Sequence, residues 1–189
     1  MKVLLLDNKD SFTYNIVDYL RRMRNVDFEV VDSVVINLEQ IEKYDKIIIS
    51  PGPGLPADFP DIFKVLERYH KYKAILGICL GHQAIAQYFG ASLSNISPVV
   101  HGQGHRVDFL DKTDIFKSIP DKSKVGLYHS WTVSEIGFPD KLKITAKSEN
   151  GVIMGIASRE YKVCGVQFHP ESHITEYGFE ILSNFIYDY

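Results

Sequence analysis

The chain has 189 residues, 45% of them hydrophobic and 24% charged, which suits one soluble domain over 1–189 with a sizeable core. A formal net charge of −3 gives no general affinity for polyanions, so a nucleic-acid or membrane-surface role is not expected, and no apolar run approaches the ~20 residues of a membrane span. The opening MKVLLLDNKD is too briefly apolar for a signal segment, so the expected compartment is the cytoplasm, with Cys79 and Cys164 as free thiols.

Residues 2–7 read as a continuously apolar strand. Asp10 or Ser11 can cap the helix that follows, whose Phe12, Ile16, Val17, Leu20 and Met23 fall at helical spacing. Strands are expected at 28–31 and 46–50, then the PGPGLP punctuation, a helix over 61–69, a strand over 74–78 and a helix over 82–89, with Gly90 at C′. Alternating strands and helices with continuously apolar strands imply a parallel sheet covered on both faces. The second half changes texture. Short strands are expected at 93–96, 105–109, 124–128, 142–148, 152–158 and 163–168, with Asn150-Gly151 as a type I′ hairpin turn. A final helix starts near Thr175, with Phe179, Leu182, Phe185 and Ile186 on one face. The expected fold class is α/β: an open, mostly parallel central sheet with helices on both faces and a smaller antiparallel layer.

The strand over 74–78 runs into Gly77-Ile78-Cys79-Leu80-Gly81. A thiol between two glycines, after a strand and before a helix, follows the logic of the G-x-S-x-G nucleophile elbow. The turn would aim the side chain out of the sheet edge, and the Leu80 N–H would face a developing oxyanion. Read alone, a buried structural cysteine fits the same letters.

A cysteine nucleophile needs a base, and the base needs an orienting group. The segment VCGVQFHPESH supplies both. His169 ends a buried strand, and Glu171 shares its face if the segment is extended. Both Cys79 and His169 then sit at strand C-terminal ends, where an open parallel sheet binds ligands. A metal site is not expected, because H-P-E-S-H is not H-E-x-x-H and Pro170 denies it a helix. Cys164 lies inside the apolar strand, where burial is the simpler reading. The SPGPG loop, 50–54, allows close backbone approach to a ligand. Gly52 can offer a second oxyanion N–H, which Pro51 and Pro53 lack. It is not a phosphate-binding P-loop, having neither the length nor the Lys-Ser/Thr ending.

SPGPG, GICLGHQAI and GVQFHPES, in this order, resemble the class I (triad-type) glutamine amidotransferases. LLLDNKDSFTYNIVDYL, VHGQ, YHSW and FHPESHITEYG look like their chorismate-using branch, the small glutaminase subunits of anthranilate synthase and aminodeoxychorismate synthase. The resemblance runs over the whole chain. It implies that Cys79 attacks the side-chain amide of glutamine, that His169 is base and then acid, and that Glu171 orients the imidazole. It further implies Gly52 and Leu80 as oxyanion donors and Gly52, Pro53, Gly54, Gln83, Ser130 and Trp131 around the L-glutamine substrate, without a cofactor. The ammonia would pass to a larger chorismate-binding synthase subunit, whose chemistry decides between the tryptophan and folate branches. Tyr14 and Asn15 would belong to the surface facing that partner. Gln103 departs from the pattern, since relatives commonly carry a basic residue after the His-Gly; His105 and Arg106 follow it closely. Two other functions fit a chain of this kind: a non-catalytic regulatory module, to which an intact triad would be superfluous, and a stand-alone γ-glutamyl thiol hydrolase, active without a partner.

Overall fold

The computed structural model describes the backbone of residues 1–189 and every side chain except those of 97–100. In chain order the elements are β1 (Lys2–Asp7), α1 (Thr13–Arg22), β2 (Asp27–Asp32), β3 (Lys46–Ile49), α2 (Pro60–Tyr69), β4 (Ala74–Ile78), α3 (Leu80–Tyr88), β5 (Leu93–Phe109), β6 (Ser123–Val133), β7 (Leu142–Ser148), β8 (Ile153–Ser158), β9 (Val163–Val166) and α4 (Gly178–Tyr187). The nine strands make one sheet in the order β2-β1-β3-β4-β9-β8-β7-β5-β6. From β2 through β9 the neighbours run parallel. From β9 through β6 they run antiparallel. The antiparallel strands are therefore hydrogen-bonded into the main sheet and extend it.

Each central strand is apolar without alternation because both of its faces are covered. Val3 and Leu5 of β1 pack with Ile16, Val17 and Leu20 of α1 and with Ile181, Leu182 and Phe185 of α4. Leu4 and Leu6 face the other way, onto Ile62, Val65 and Leu66 of α2 and Ala84 and Ile85 of α3. Ile16 and Leu20 are fully buried, and each such side chain contributes about 1.5–3 kcal/mol of transfer free energy. Lys46 is buried beside this core. It reaches the end of α4, where its Nζ donates to Phe185 O at 2.7 Å and to Tyr189 O at 3.0 Å. Those carbonyls have no partner within the helix.

Several boundaries differ from expectation for identifiable reasons. The strands expected at 93–96 and 105–109 are one strand, β5, with register shifts between Asn95 and Val100 and between His101 and Gln103. Gly102 reads as a breaker but occupies the second shift, at φ +66°, as a bulge residue. Asn150-Gly151 is not a type I′ turn, which needs positive φ at both residues. Only Gly151 has positive φ. Gly151 N donates to Ser148 O and Ser148 N to Val152 O, both at 2.9 Å, giving a three-residue loop that ends in a left-handed glycine. Helix α3 begins at Leu80, two residues before the expected start, and α4 begins at Gly178 after a left-handed Tyr177. Gly90 takes the C′ position with φ +103°, as expected. Neither Asp10 nor Ser11 is the N-cap of α1. Phe12 is, without a side-chain cap. Asp10 instead accepts from Phe12 N at 2.8 Å, an Asx-type turn one step before the helix.

Candidate active site

Strands β4 and β9 are parallel neighbours, with Ile78 opposite Val166. The residues that follow them, Cys79 and His169, therefore leave the sheet at the same edge.

Cys79 caps α3 with φ 51° and ψ −98°, a conformation costing a side-chain-bearing residue about 1–3 kcal/mol. The surroundings hold it there. Its N–H donates to Val166 O at 2.8 Å, and its carbonyl accepts from Gln83 N at 3.0 Å. The flanking glycines are needed because the helix start is pressed against the strands. A Cβ at Gly77 would overlap the Gly81 backbone and lie 2.6 Å from His82 N, and one at Gly81 would lie 2.5 Å from Ile49 O. Leu80, the first residue of α3, has an N–H without an intrahelical partner.

His169 is 2% exposed and Glu171 3%. Their Nδ1 and Oε1 atoms are 2.7 Å apart. The pair meets in a turn, not in the extended segment expected from sequence. Strand β9 stops at Val166, and Ser172 N closes back onto His169 O at 3.2 Å with Pro170 at the second position, where its fixed φ suits a turn. The turn is fastened to β6: His169 N donates to Gly126 O at 3.0 Å, Thr175 Oγ1 donates to His169 O at 2.6 Å, and Gly126 N donates to Thr175 Oγ1 at 2.9 Å. Gly178 completes the packing, since a Cβ there would collide with the Pro170 carbonyl. Phe12 and Tyr128 stand edge-on to the imidazole, at 5.2 and 4.9 Å between ring centres. Burial pushes the His169 pKa down, but the Glu171 carboxylate and the Cys79 side chain outweigh it and hold the imidazole well above its ordinary value.

Beside this pair lies a cleft of about 150 Å³ lined by Gly52, Pro53, Gly54, Cys79, Leu80, Gln83, Tyr128, His129, Ser130 and Trp131. All of the substrate and oxyanion candidates named from the sequence are on that wall. Gly52 is required by contact: a Cβ there would lie 2.7 Å from Asn8 Cβ. Gly54 has φ +71°, and Asp58 occupies the space a side chain would need. Asn8 ties the loop to β1, its backbone N–H donating to Ser50 Oγ at 2.9 Å and its Nδ2 to Ser50 O at 2.8 Å. Tyr14 is 66% exposed on α1. Gln103 is exposed, with Oε1 3.4 Å from His105 Nε2. Among the described residues no group of three or more His, Cys, Asp or Glu side chains is placed to hold a metal ion, and no helix is long and apolar enough to cross a membrane.

The model of the class I glutamine amidotransferase family matches residues 4–189. This chain belongs to that family. It is 40% identical to the anthranilate synthase component 2 of Cyanophora paradoxa over 97% of this chain and 97% of that one. It is 38% identical to the bifunctional protein TrpGD of Thermotoga maritima over 98% of this chain but only 32% of that protein. A solved glutamine amidotransferase-like chain of Thermoplasma acidophilum, provisionally named as part of a GMP synthase, superimposes with a TM-score of 0.88 at 27% identity, covering 98% of this amidotransferase and 92% of that chain.

Reasoning from sequence missed several residues of the amidotransferase cleft. Gln167 is fully buried, and its Nε2 is 3.6 Å from Cys79 Sγ. A glutamine inside an apolar strand run, two positions before the histidine, was the available signal. His129 and His82 are buried too, and burial lowers their pKa values to about 4 and about 3. His129 Nδ1 lies 2.9 Å from Trp131 O. The Nε2 of His129 and both ring nitrogens of His82 lack a partner at bonding geometry among the described residues. Nothing in the spacing of GHQ or YHSW distinguishes such histidines from surface ones.

Proposed function

We propose that this amidotransferase is the glutaminase subunit of a chorismate-aminating synthase, with Cys79, His169 and Glu171 as its catalytic triad. The observation that carries the reading is the convergence of a strained Cys79 and a Glu171-bound His169 on one small cleft. His169 takes the thiol proton as Cys79 Sγ attacks the side-chain amide carbon of L-glutamine. The oxyanion that forms is received by the N–H groups of Leu80 and Gly52; losing one such donor costs about 10²–10³ in rate. His169 then gives its proton to the departing nitrogen, and ammonia leaves. Water, deprotonated by the same imidazole, hydrolyses the thioester and releases glutamate. Glu171 fixes the tautomer and stabilises the imidazolium, in keeping with the raised pKa of His169. Gly52, Pro53, Gly54, Gln83, Ser130 and Trp131 hold the substrate, and no cofactor takes part.

The ammonia passes to a larger chorismate-binding subunit. A relative named anthranilate synthase component 2 and another fused into a bifunctional protein support a partner of this kind. Exposed Tyr14 and its neighbour Asn15, on the first turn of α1 next to the Phe12 that packs on His169, belong to the docking surface. The two free thiols fit a cytoplasmic protein. The test adds the large subunit of anthranilate synthase, or that of aminodeoxychorismate synthase, to the purified chain and follows glutamine-dependent product formation. Cys79→Ser is expected to abolish that activity and to spare amination driven by free ammonia. Loss of both would assign Cys79 to assembly instead.

A further inference from the structure

We propose that Gln167 donates a hydrogen bond to the reacting sulfur, with its orientation dictated by the Trp131 carbonyl acting through Gln83. The inference rests on the reading of Cys79 as nucleophile and goes on to what stabilises it. A backbone carbonyl oxygen can only accept. Gln83 Nε2 lies 2.9 Å from Trp131 O, so Gln83 must turn its NH₂ group that way. The same NH₂ lies 3.2 Å from Gln167 Oε1. A carboxamide that faces a donor presents its oxygen. Gln167 is then left with one arrangement, NH₂ toward Cys79 Sγ at 3.6 Å. Turning it over would set NH₂ against NH₂ in a site that water does not reach, since Gln167 is 0% and Gln83 3% exposed. His129 Nδ1 lies 2.9 Å from the same carbonyl and is fixed as its second donor.

The consequence is selective. A neutral thiol accepts weakly, whereas the sulfur that has given its proton to His169 carries full negative charge and accepts strongly. The thioester again carries none. Gln167 therefore stabilises the state from which attack occurs more than the states on either side of it, as rate acceleration requires. Other groups around the sulfur leave this role open. His169 is occupied by Glu171 on its far side, and Tyr128 is bonded to Ser172 Oγ at 3.0 Å. His129 and His82 behind it are neutral near pH 7, burial having lowered both.

The experiment follows alkylation of Cys79 by iodoacetamide against pH, site by site, by mass spectrometry. Cys164 is the internal control: it is 1% exposed and burial pushes its thiol pKa up, so its labelling reports unfolding. Gln167→Met keeps the volume and removes the donor. It is expected to slow Cys79 alkylation at neutral pH roughly tenfold and to move the profile up by about one pH unit, the size of a hydrogen bond to a charged group. Gln167→Glu, which sets a carboxylate at the sulfur, is expected to slow it further. Profiles that superimpose on the wild type, with Cys164 still protected, overturn the proposal. Where both variants expose Cys164, Gln83→Met decides: it frees Gln167 to turn, and it should slow alkylation in the same direction by less, whereas an unchanged rate counts against the role. The functional reading fails differently, by a wild-type Cys79 no more reactive than cysteine in a short peptide.

Discussion

Two cysteines lie on neighbouring strands of this amidotransferase, and their surroundings have little in common. Cys164 sits in the middle of β9 opposite Leu76, inside the apolar layer under α1 and α4. Cys79 lies one residue past the end of β4, on a left-handed corner. Exposure hardly separates them, at 1% and 6%. What separates them is polar company. The mid-strand thiol is suppressed by desolvation, whereas the corner thiol has an imidazole, a carboxamide and a helix start around it. The edge of a parallel sheet is where chain direction changes, so backbone groups lose their ladder partners and side chains of several strands converge there.

The largest effect should come from exchanging the roles of the two thiols. Cys79→Ala is expected to lower glutaminase kcat by about 10⁴-fold or more, since no other group can carry the acyl intermediate. Glutamate release is the measurement. A variant that kept even a tenth of the activity would move the chemistry away from this corner. His169→Asn should cost about 10²–10⁴-fold in kcat, the usual worth of a positioned general base. An electrophilic glutamine analogue should then label Cys79 more slowly and still spare Cys164.

Geometry around the corner gives the next effect. Gly81→Ala would drive a Cβ to within 2.5 Å of Ile49 O. Forcing α3 away from β3 is expected to cost about 1–3 kcal/mol, as overpacking does, and to lower activity with it, because Leu80 and Cys79 move together. Thermal unfolding and glutaminase assays on one preparation would show both losses. Activity retained in a destabilised protein would mean that the elbow tolerates displacement.

The comparison also explains how much of the molecule was legible in its letters. The parallel half was, because buried strands such as KIII and AILGI leave no doubt of period and the glycines flanking Cys79 announce a corner. So was the gathering of Cys79, His169 and Glu171, since each motif follows a strand of that half. The antiparallel half was less so. Gly102 read as an end of strand β5 when it marks a bulge, and Asn150-Gly151 suggested a tighter turn than Gly151 alone makes. Extended geometry was assumed at His169, where Pro170 makes a turn instead. Gln167, His129 and His82 stayed hidden for a common reason. Their roles come from partners distant in sequence, such as Trp131 O for Gln83 and Gln83 for Gln167, and no local pattern encodes those.

The buried histidines yield a pH-dependent prediction. His82 and His129 have folded pKa values lowered to about 3 and about 4, below the unfolded value of about 6.5. The unfolded chain therefore binds protons first as pH falls. Their contribution to stability is whole above about pH 6.5 and declines by about 1.4 kcal/mol per histidine for each pH unit below it. His169 has the opposite sign: its raised pKa adds stability that is complete below about pH 6.5 and fades as pH rises through its folded value, so it does not blur the acid limb. His82→Leu should remove about half of the two-histidine slope between roughly pH 6 and 5 in urea titrations. An unchanged slope would mean that His82 is charged in the native state.

The smallest effect returns to the mid-strand thiol. Cys164→Ala removes one sulfur from a packed layer and leaves a small void, worth about 1 kcal/mol, or roughly 2–4 °C in melting temperature for a chain of this size. No polar group of the cleft reaches this position, so kcat and KM for glutamine should match the wild type. Serine is the more informative replacement, because its hydroxyl must find an acceptor in an apolar layer or destabilise the fold further than alanine does. Should either variant change glutaminase kcat without changing the melting temperature, the contrast between the strand's middle and its end would no longer hold, and the two thiols would have to be treated as one coupled system.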